Sequence, residues 1–297
     1  MNSITLTKKQ LNSLTRLDVG SAKNSEGEMY ILDHGNWNYS DGSLLLKKLF
    51  IADGEAMANK LFTVSLLGDK KEDIDMNELV IPNNLAVVKN EVIGFTVPLI
   101  PEAKNLKVIL DNPKIDNSIK IDYLYKVGKM LKKVNSLNRR KIINLTIGDL
   151  HEDNILVTKD HDIRVVDLDS AYLDTSYPTP SFYLRNSEIG NFRKYKFNSS
   201  GIVYPTKNTD LLCYNSMILN TISKNRIDKL SVSDYFSYIN YLESLGFGQD
   251  IFKSFRRVYT NGENINPADY LDQVPEEKMG EAIYKVYELK KQKGKVK

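Results

Sequence analysis

The chain predicts an α+β fold: a small five-stranded antiparallel sheet with one helix, followed by a larger and mainly helical region. Three observations carry this expectation. The first hundred residues read as short strands separated by glycine-containing turns, with one helical run among them. From Asn105 onward, apolar residues recur at helical spacing. Between the two lies Pro98-Leu99-Ile100-Pro101. Proline removes a ladder donor and fixes the backbone, so the last strand ends there. The division falls into residues 1–100 and 101–297.

Each element follows from local pattern. Leu14–Val19, Glu28–Asp33 and Ser43–Phe50 are strand-like, with turns at Gly20–Gly27 and Gly35–Gly42. A helix is expected over Gly54–Leu67, then strands Leu85–Lys89 and Val92–Leu99 joined at Asn90-Glu91. Leu124, Val127, Leu131 and Val134 fall at i, i+3, i+7 and i+10, with Lys126, Lys129, Lys132 and Lys133 largely off that line. That is an amphipathic helix. Ile155–Val157 and Ile163–Val166 flank the polar turn Lys159–Asp162 and predict a short hairpin. An irregular stretch, Leu173–Thr209, precedes helices near Asp210–Ser223, Val232–Leu245, Asp250–Tyr259 and Glu276–Leu289.

Composition narrows the function classes. With 297 residues the chain can bury a substantial core, and 41% hydrophobic and 27% charged residues suit a soluble globular protein. No apolar run approaches the roughly 20 residues that span a bilayer. The N-terminal MNSITLTKKQLNSLT has no signal-peptide core. One cysteine, Cys213, excludes an internal disulfide, so a reducing cytoplasm is expected. That cysteine and three scattered histidines also exclude the usual structural zinc sites. A net charge of +3 does not argue for nucleic acid. The basic tail Lys290–Lys297 fits a solvated end, or else a membrane or polyanion contact.

The chemistry concentrates in Thr146–Tyr172, TIGDLHEDNILVTKDHDIRVVDLDSAY. Asp149 is followed after five residues by Asn154, and Asp167 lies thirteen further on. The intervening hairpin returns Asp167 toward Asp149 and Asn154, converging three oxygen ligands of the type that hard cations such as Mg²⁺ accept. This segment resembles the catalytic and metal-binding loops of the protein-kinase-like superfamily, with GDLHEDN and DLD at the positions of HRDxxxxN and DFG. The strand–helix–strand order before it resembles that family's small lobe. A bilobal protein-kinase-like fold is therefore implied.

The resemblance assigns further roles. Asp149 takes the position of the base that orients the acceptor hydroxyl, and Asn154 and Asp167 those of the Mg²⁺ ligands beside ATP. Lys47, in Leu44–Phe50, matches the small-lobe lysine that pairs with the α- and β-phosphates; an edge-strand lysine kept against aggregation fits the same residue. Strand alternation puts Leu45 and Lys47 on one face and Lys48 on the other. Glu55 is the one acid in Gly54–Leu67 and stands either as the partner of Lys47 or as a first-turn acid favoured by the helix dipole. Gly20 and Ser21 open the loop in the place of GxGxxG, although two glycines alone also suit an ordinary hairpin. Pro98 carbonyl and Ile100 N–H are implied to meet adenine, with Val97 behind it. Asp210 is implied to fasten the catalytic loop, or to cap its own helix.

Two branches of the superfamily match different features of the chain. Gly148 and His151 resemble aminoglycoside and choline phosphotransferases, and Asp169 replaces the glycine of DFG. The forty-three residues from Asp167 to Asp210, with hydroxyls at Thr175, Ser176, Tyr177, Thr179, Ser181, Tyr183 and Ser187, resemble a protein-kinase activation segment. The sequence reading favours an atypical bacterial or phage Ser/Thr protein kinase acting on a protein substrate. A small-molecule hydroxyl acceptor is the second expectation, and a degenerate kinase-shaped binding module the third.

Overall fold

The computed structural model describes residues 1–17, 27–32, 43–51, 54–173, 195–197, 203–205, 209–224, 227, 230–260, 266–279 and 281–282. Six strands form a mixed sheet: β1 (Asn2–Leu6), β2 (Thr15–Leu17), β3 (Gly27–Leu32), β4 (Leu44–Leu49), β5 (Asn84–Val88) and β6 (Glu91–Pro98), in the order β1-β5-β6-β4-β3-β2. The expected five-stranded antiparallel sheet is corrected here. Asn2–Leu6 adds a sixth strand, and it runs parallel to β5. Its alternation explains the addition: Ile4 and Leu6 point into the core at 3% and 1% exposure, while Ser3 and Thr5 face outward. Helix α1 (Lys8–Ser13) then turns the chain, closed by a capping box between Thr7 and Gln10.

The sheet buries both faces. Ile4, Leu6, Leu32, Leu44, Leu46, Ala86 and Val88 form one apolar cluster. Leu49 and Phe95 pack on the other face against Val64 of helix α2 (Gly54–Asp69), with Leu85 and Val97 alongside. Lys47 shares this second face by alternation with Leu49, and its register partners are Met29 and Phe95. A short helix α3 (Lys71–Ile74) follows. Beyond it, Val165 N–H donates to Glu78 carbonyl at 2.7 Å and Val80 N–H donates to Val165 carbonyl at 2.9 Å, tying the segment before β5 to the hairpin.

The second half is helical around one large core. After β7 (Lys104–Asn105) come α4 (Leu106–Asp111) and α5 (Asn117–Arg139). Then come β8 (Leu145–Thr146), β9 (Ile155–Val157), β10 (Ile163–Val165) and β11 (Tyr172–Leu173). In the stretch expected to be irregular, β12 (Tyr195–Phe197) pairs antiparallel with β13 (Val203–Pro205). Helices α6 (Thr209–Ser223), α7 (Val232–Ser244) and α8 (Gln249–Thr260) follow. Of the helix expected over Glu276–Leu289, the described part opens as a 3₁₀ turn, Glu276–Lys278.

Helix α5 is the axis of this half. Val127, Met130, Leu131 and Val134 are buried on the face that periodicity marks. Gly128 lets α6 approach: a Cβ there would lie 2.5 Å from Tyr214 Oη. Tyr214 Oη donates to Leu124 carbonyl at 2.7 Å, and Asn266 Nδ2 donates to Gly128 carbonyl at 2.8 Å. Among the described residues, no helix is long and apolar enough to cross a membrane.

Candidate active site

The site is assembled on two short antiparallel pairings. β8 pairs with β11, and β9 pairs with β10 through Ile163 opposite Val157. The chain between β8 and β9 is Ile147–Asn154, and the chain between β10 and β11 is Val166–Ala171. Their closeness is set by backbone bonds: Val166 N–H donates to Asn154 carbonyl at 2.9 Å, so Asp167 emerges next to Asn154. Asn154 Nδ2 in turn donates to Asp149 carbonyl at 3.0 Å, with Asp149 Oδ2 at 3.5 Å. This commits the amide's nitrogen and leaves its oxygen as the group available to a ligand.

The loop is anchored from α6. Asp210 accepts from Ile147 N–H and Gly148 N–H, both at 2.9 Å, one per carboxylate oxygen. Gly148 has φ +80°, and a Cβ on it would stand 2.9 Å from Ser170 carbonyl oxygen. A side chain is excluded there both by conformation and by the neighbouring loop. Burial pushes the Asp210 carboxyl up to about 6, although the two backbone bonds pull the other way. It is ionised above that pH and accepts both N–H groups.

His151 flanks Asp149. Its Nε2 lies 3.7 Å from Asp149 Oδ2, an ionic approach rather than a hydrogen bond, and its Nδ1 accepts from Asp153 N–H at 3.2 Å. In the neutral ring this contact puts the proton on Nε2, and in the imidazolium both nitrogens carry one, so Nε2–H faces Asp149 in either form. Burial opposes a charge on the ring, but Asp149 and Asp153 outweigh it and raise its pKa to about 9.

Asp167 sits in the left-handed region at φ 63°, which aspartate tolerates better than most residues. The turn it opens, Leu168–Ser170, carries Asp169 into full burial. Lys47 Nζ donates to Asp167 Oδ1 and, at 2.9 Å, to Asp169 Oδ2. Burial would lower this lysine's pKa, but the carboxylates of Asp169 and Asp167 override it and hold it above the ordinary range. Burial likewise raises both carboxyls. At Asp169 the ammonium groups of Lys47 and Lys60 prevail and hold it low; Asp167, with Asp169 beside it, is held high.

The expected helix acid does not meet Lys47. Glu55 lies exposed in the first turn of α2, and the partners of Lys47 are Asp167 and Asp169. The residue α2 brings inward is Lys60, 3% exposed, whose Nζ is 3.2 Å from Asp169 Oδ2. The physical reason is helical phase: Glu55 falls five residues before Lys60, on the opposite side of a 3.6-residue turn. Pro98 ends β6 and Ile100 follows it, both half-buried where the sheet gives way to the helical half. Gly20 and Ser21, and the hydroxyls Thr175–Ser187, lie outside the described residues.

Among the described residues, no three His, Cys, Asp or Glu side chains gather at metal-ligand spacing. Asp167, 39% exposed, offers a carboxylate, and Asn154 an amide oxygen. That set suits a cation that keeps water and phosphate for most of its ligands, as Mg²⁺ does, and not a protein cage for Ca²⁺ or zinc. No protein-family model matches the chain, and no curated protein matches it either.

Proposed function

We propose that this chain is an ATP- and Mg²⁺-dependent phosphotransferase with a bilobal, protein-kinase-like arrangement, transferring the γ-phosphoryl group to a Ser or Thr hydroxyl of a protein. The observation that carries the reading is the convergence of Lys47, Asp149, Asn154 and Asp167 through linked hydrogen bonds, with the loop that bears Asp149 fastened by Asp210. Phosphoryl transfer asks the protein for positioning and charge, and these groups supply both.

Mg²⁺, held by Asp167 and the oxygen of Asn154, would offset charge on the nucleotide phosphates. Lys47 contributes a fixed cation for the same phosphates, kept protonated by its two carboxylate neighbours. Asp149 accepts the proton of the acceptor hydroxyl as that oxygen bonds phosphorus and ADP leaves. His151, with Nε2–H facing Asp149, orients the carboxylate. Pro98 and Ile100 offer backbone groups to the adenine.

One observation supports a second reading. Gly148 and His151 flank Asp149 where protein kinases mostly carry arginine and lysine, which favours a small-molecule hydroxyl acceptor. The buried, solitary Cys213 supports a reducing compartment such as the cytoplasm. Incubation of the wild-type chain with radiolabelled ATP and Mg²⁺ separates the readings. Label on the chain or on added protein supports the first, label on an amino-sugar or amino-alcohol alone supports the second, and no transfer to either removes both.

A further inference from the structure

Helix α2 delivers a lysine, not an acid, to the buried side of the cluster. Lys60 is 3% exposed, and burying an ammonium group is costly unless a partner repays it. One partner is Asp169 Oδ2 at 3.2 Å, the same oxygen that accepts from Lys47 Nζ at 2.9 Å. Asp169 itself is 0% exposed, and its other oxygen, Oδ1, has no hydrogen-bond partner among the described residues. Here one oxygen gathers two ammonium groups, one from β4 and one from α2.

Lys60 gives Asp169 a second cation, so Asp169 does not rest on Lys47 alone, and Lys47 keeps its contact with the more exposed Asp167. We propose that Lys60 is a positioning residue of the nucleotide site: acting through Asp169, it places Lys47 for the phosphates and ties α2 to their binding, in the charge-reversed form of a lysine–glutamate pair. The inference rests on the phosphotransferase reading, and the alternative is a buried ion pair that serves stability only.

The test measures MgATP affinity by calorimetry and thermal unfolding side by side for wild type, Lys60→Met, Lys60→Arg, Asp169→Asn and the Lys60→Met/Asp169→Asn pair. Lys60→Met is expected to weaken MgATP binding by about tenfold or more, and Lys60→Arg to restore it to within about threefold. The pair is expected to bind no more weakly than its poorer single variant, since residues acting through one contact are not additive. A purely structural lysine would shift the melting temperature and leave the affinity unchanged. A folded Lys60→Met that binds MgATP like wild type overturns the inference while leaving the phosphotransferase reading in place. Wild type that binds no MgATP overturns both. Should Lys60→Met fail to fold, the doubly neutral pair replaces it, and wild-type affinity in that variant overturns the inference.

Discussion

Replacing Asp210 with asparagine separates what this carboxylate does for stability from what it does for the loop. In the wild type it is buried and accepts from Ile147 N–H and Gly148 N–H at 2.9 Å each. Its displacement from an ordinary 3.8 to about 6 means that the ionised form is disfavoured in the folded chain by about 3 kcal/mol. Asparagine removes that penalty. It also turns an amide NH₂ toward one of the two backbone donors, and an unmet buried donor costs about 1–3 kcal/mol. The difference leaves Asp210→Asn between unchanged and about 2 kcal/mol more stable at neutral pH. The sign with pH is fixed: a raised carboxyl contributes stability that is complete below its unfolded pKa and lost as pH rises through about 6. Urea unfolding at about pH 5 and about pH 7.5 should therefore show the variant's relative stability lower by about 1 kcal/mol at the lower value. Phosphoryl transfer should move the opposite way. With one anchor gone the loop bearing Asp149 shifts, and misplacement on the order of 1 Å costs about 10²-fold. Wild-type transfer should likewise fall as pH drops through about 6. A variant several kcal/mol less stable than wild type at neutral pH, or one with undiminished turnover, would refute the reasoning.

Three further outcomes follow from the same geometry. Asp167→Asn and Asn154→Ala should each weaken Mg²⁺-dependent nucleotide binding by calorimetry, because each withdraws charge or an oxygen from the donor pair; wild-type affinity in both would remove the cation from this loop. Gly148→Ala forces a Cβ to 2.9 Å from Ser170 carbonyl at φ +80°, so it should cost about 1–2 kcal/mol in denaturant unfolding and lower transfer, and an unchanged midpoint would contradict the close approach. Tyr214→Phe removes the 2.7 Å bond to Leu124 carbonyl and should lower stability by about 1 kcal/mol without changing nucleotide affinity.

Much of the sheet and the hairpin is legible locally. Alternation puts Lys47 on the face of Leu49 and away from Lys48, and the apolar runs at Ile155–Val157 and Ile163–Val165 pair as spacing suggests. The polar turn between them closes through Thr158 N–H to Asp162 carbonyl at 2.9 Å. The sixth strand is legible too, in Ile4 and Leu6, as is the Thr7–Gln10 capping box behind it. Both are short signals next to charged residues and escape a reading that begins at Leu14.

The hidden part of the site is tertiary. Lys60 looks like any helix lysine until the turn Leu168–Ser170, more than a hundred residues later in the chain, places Asp169 against it. Nothing near Asp169 in sequence says that it is the fully buried carboxylate and Asp167 the accessible one. Glu55 misleads because acid content within the helix is visible, whereas the phase of the helix against the sheet is not.

Asp149 separates nucleotide binding from phosphoryl transfer. Asp149→Ala should bind MgATP within about twofold to threefold of wild type while losing about 10²–10⁴-fold in transfer of labelled phosphate, since this group meets the acceptor hydroxyl and not the nucleotide. Transfer at the wild-type rate by Asp149→Ala, or loss of nucleotide binding with turnover spared, would contradict it.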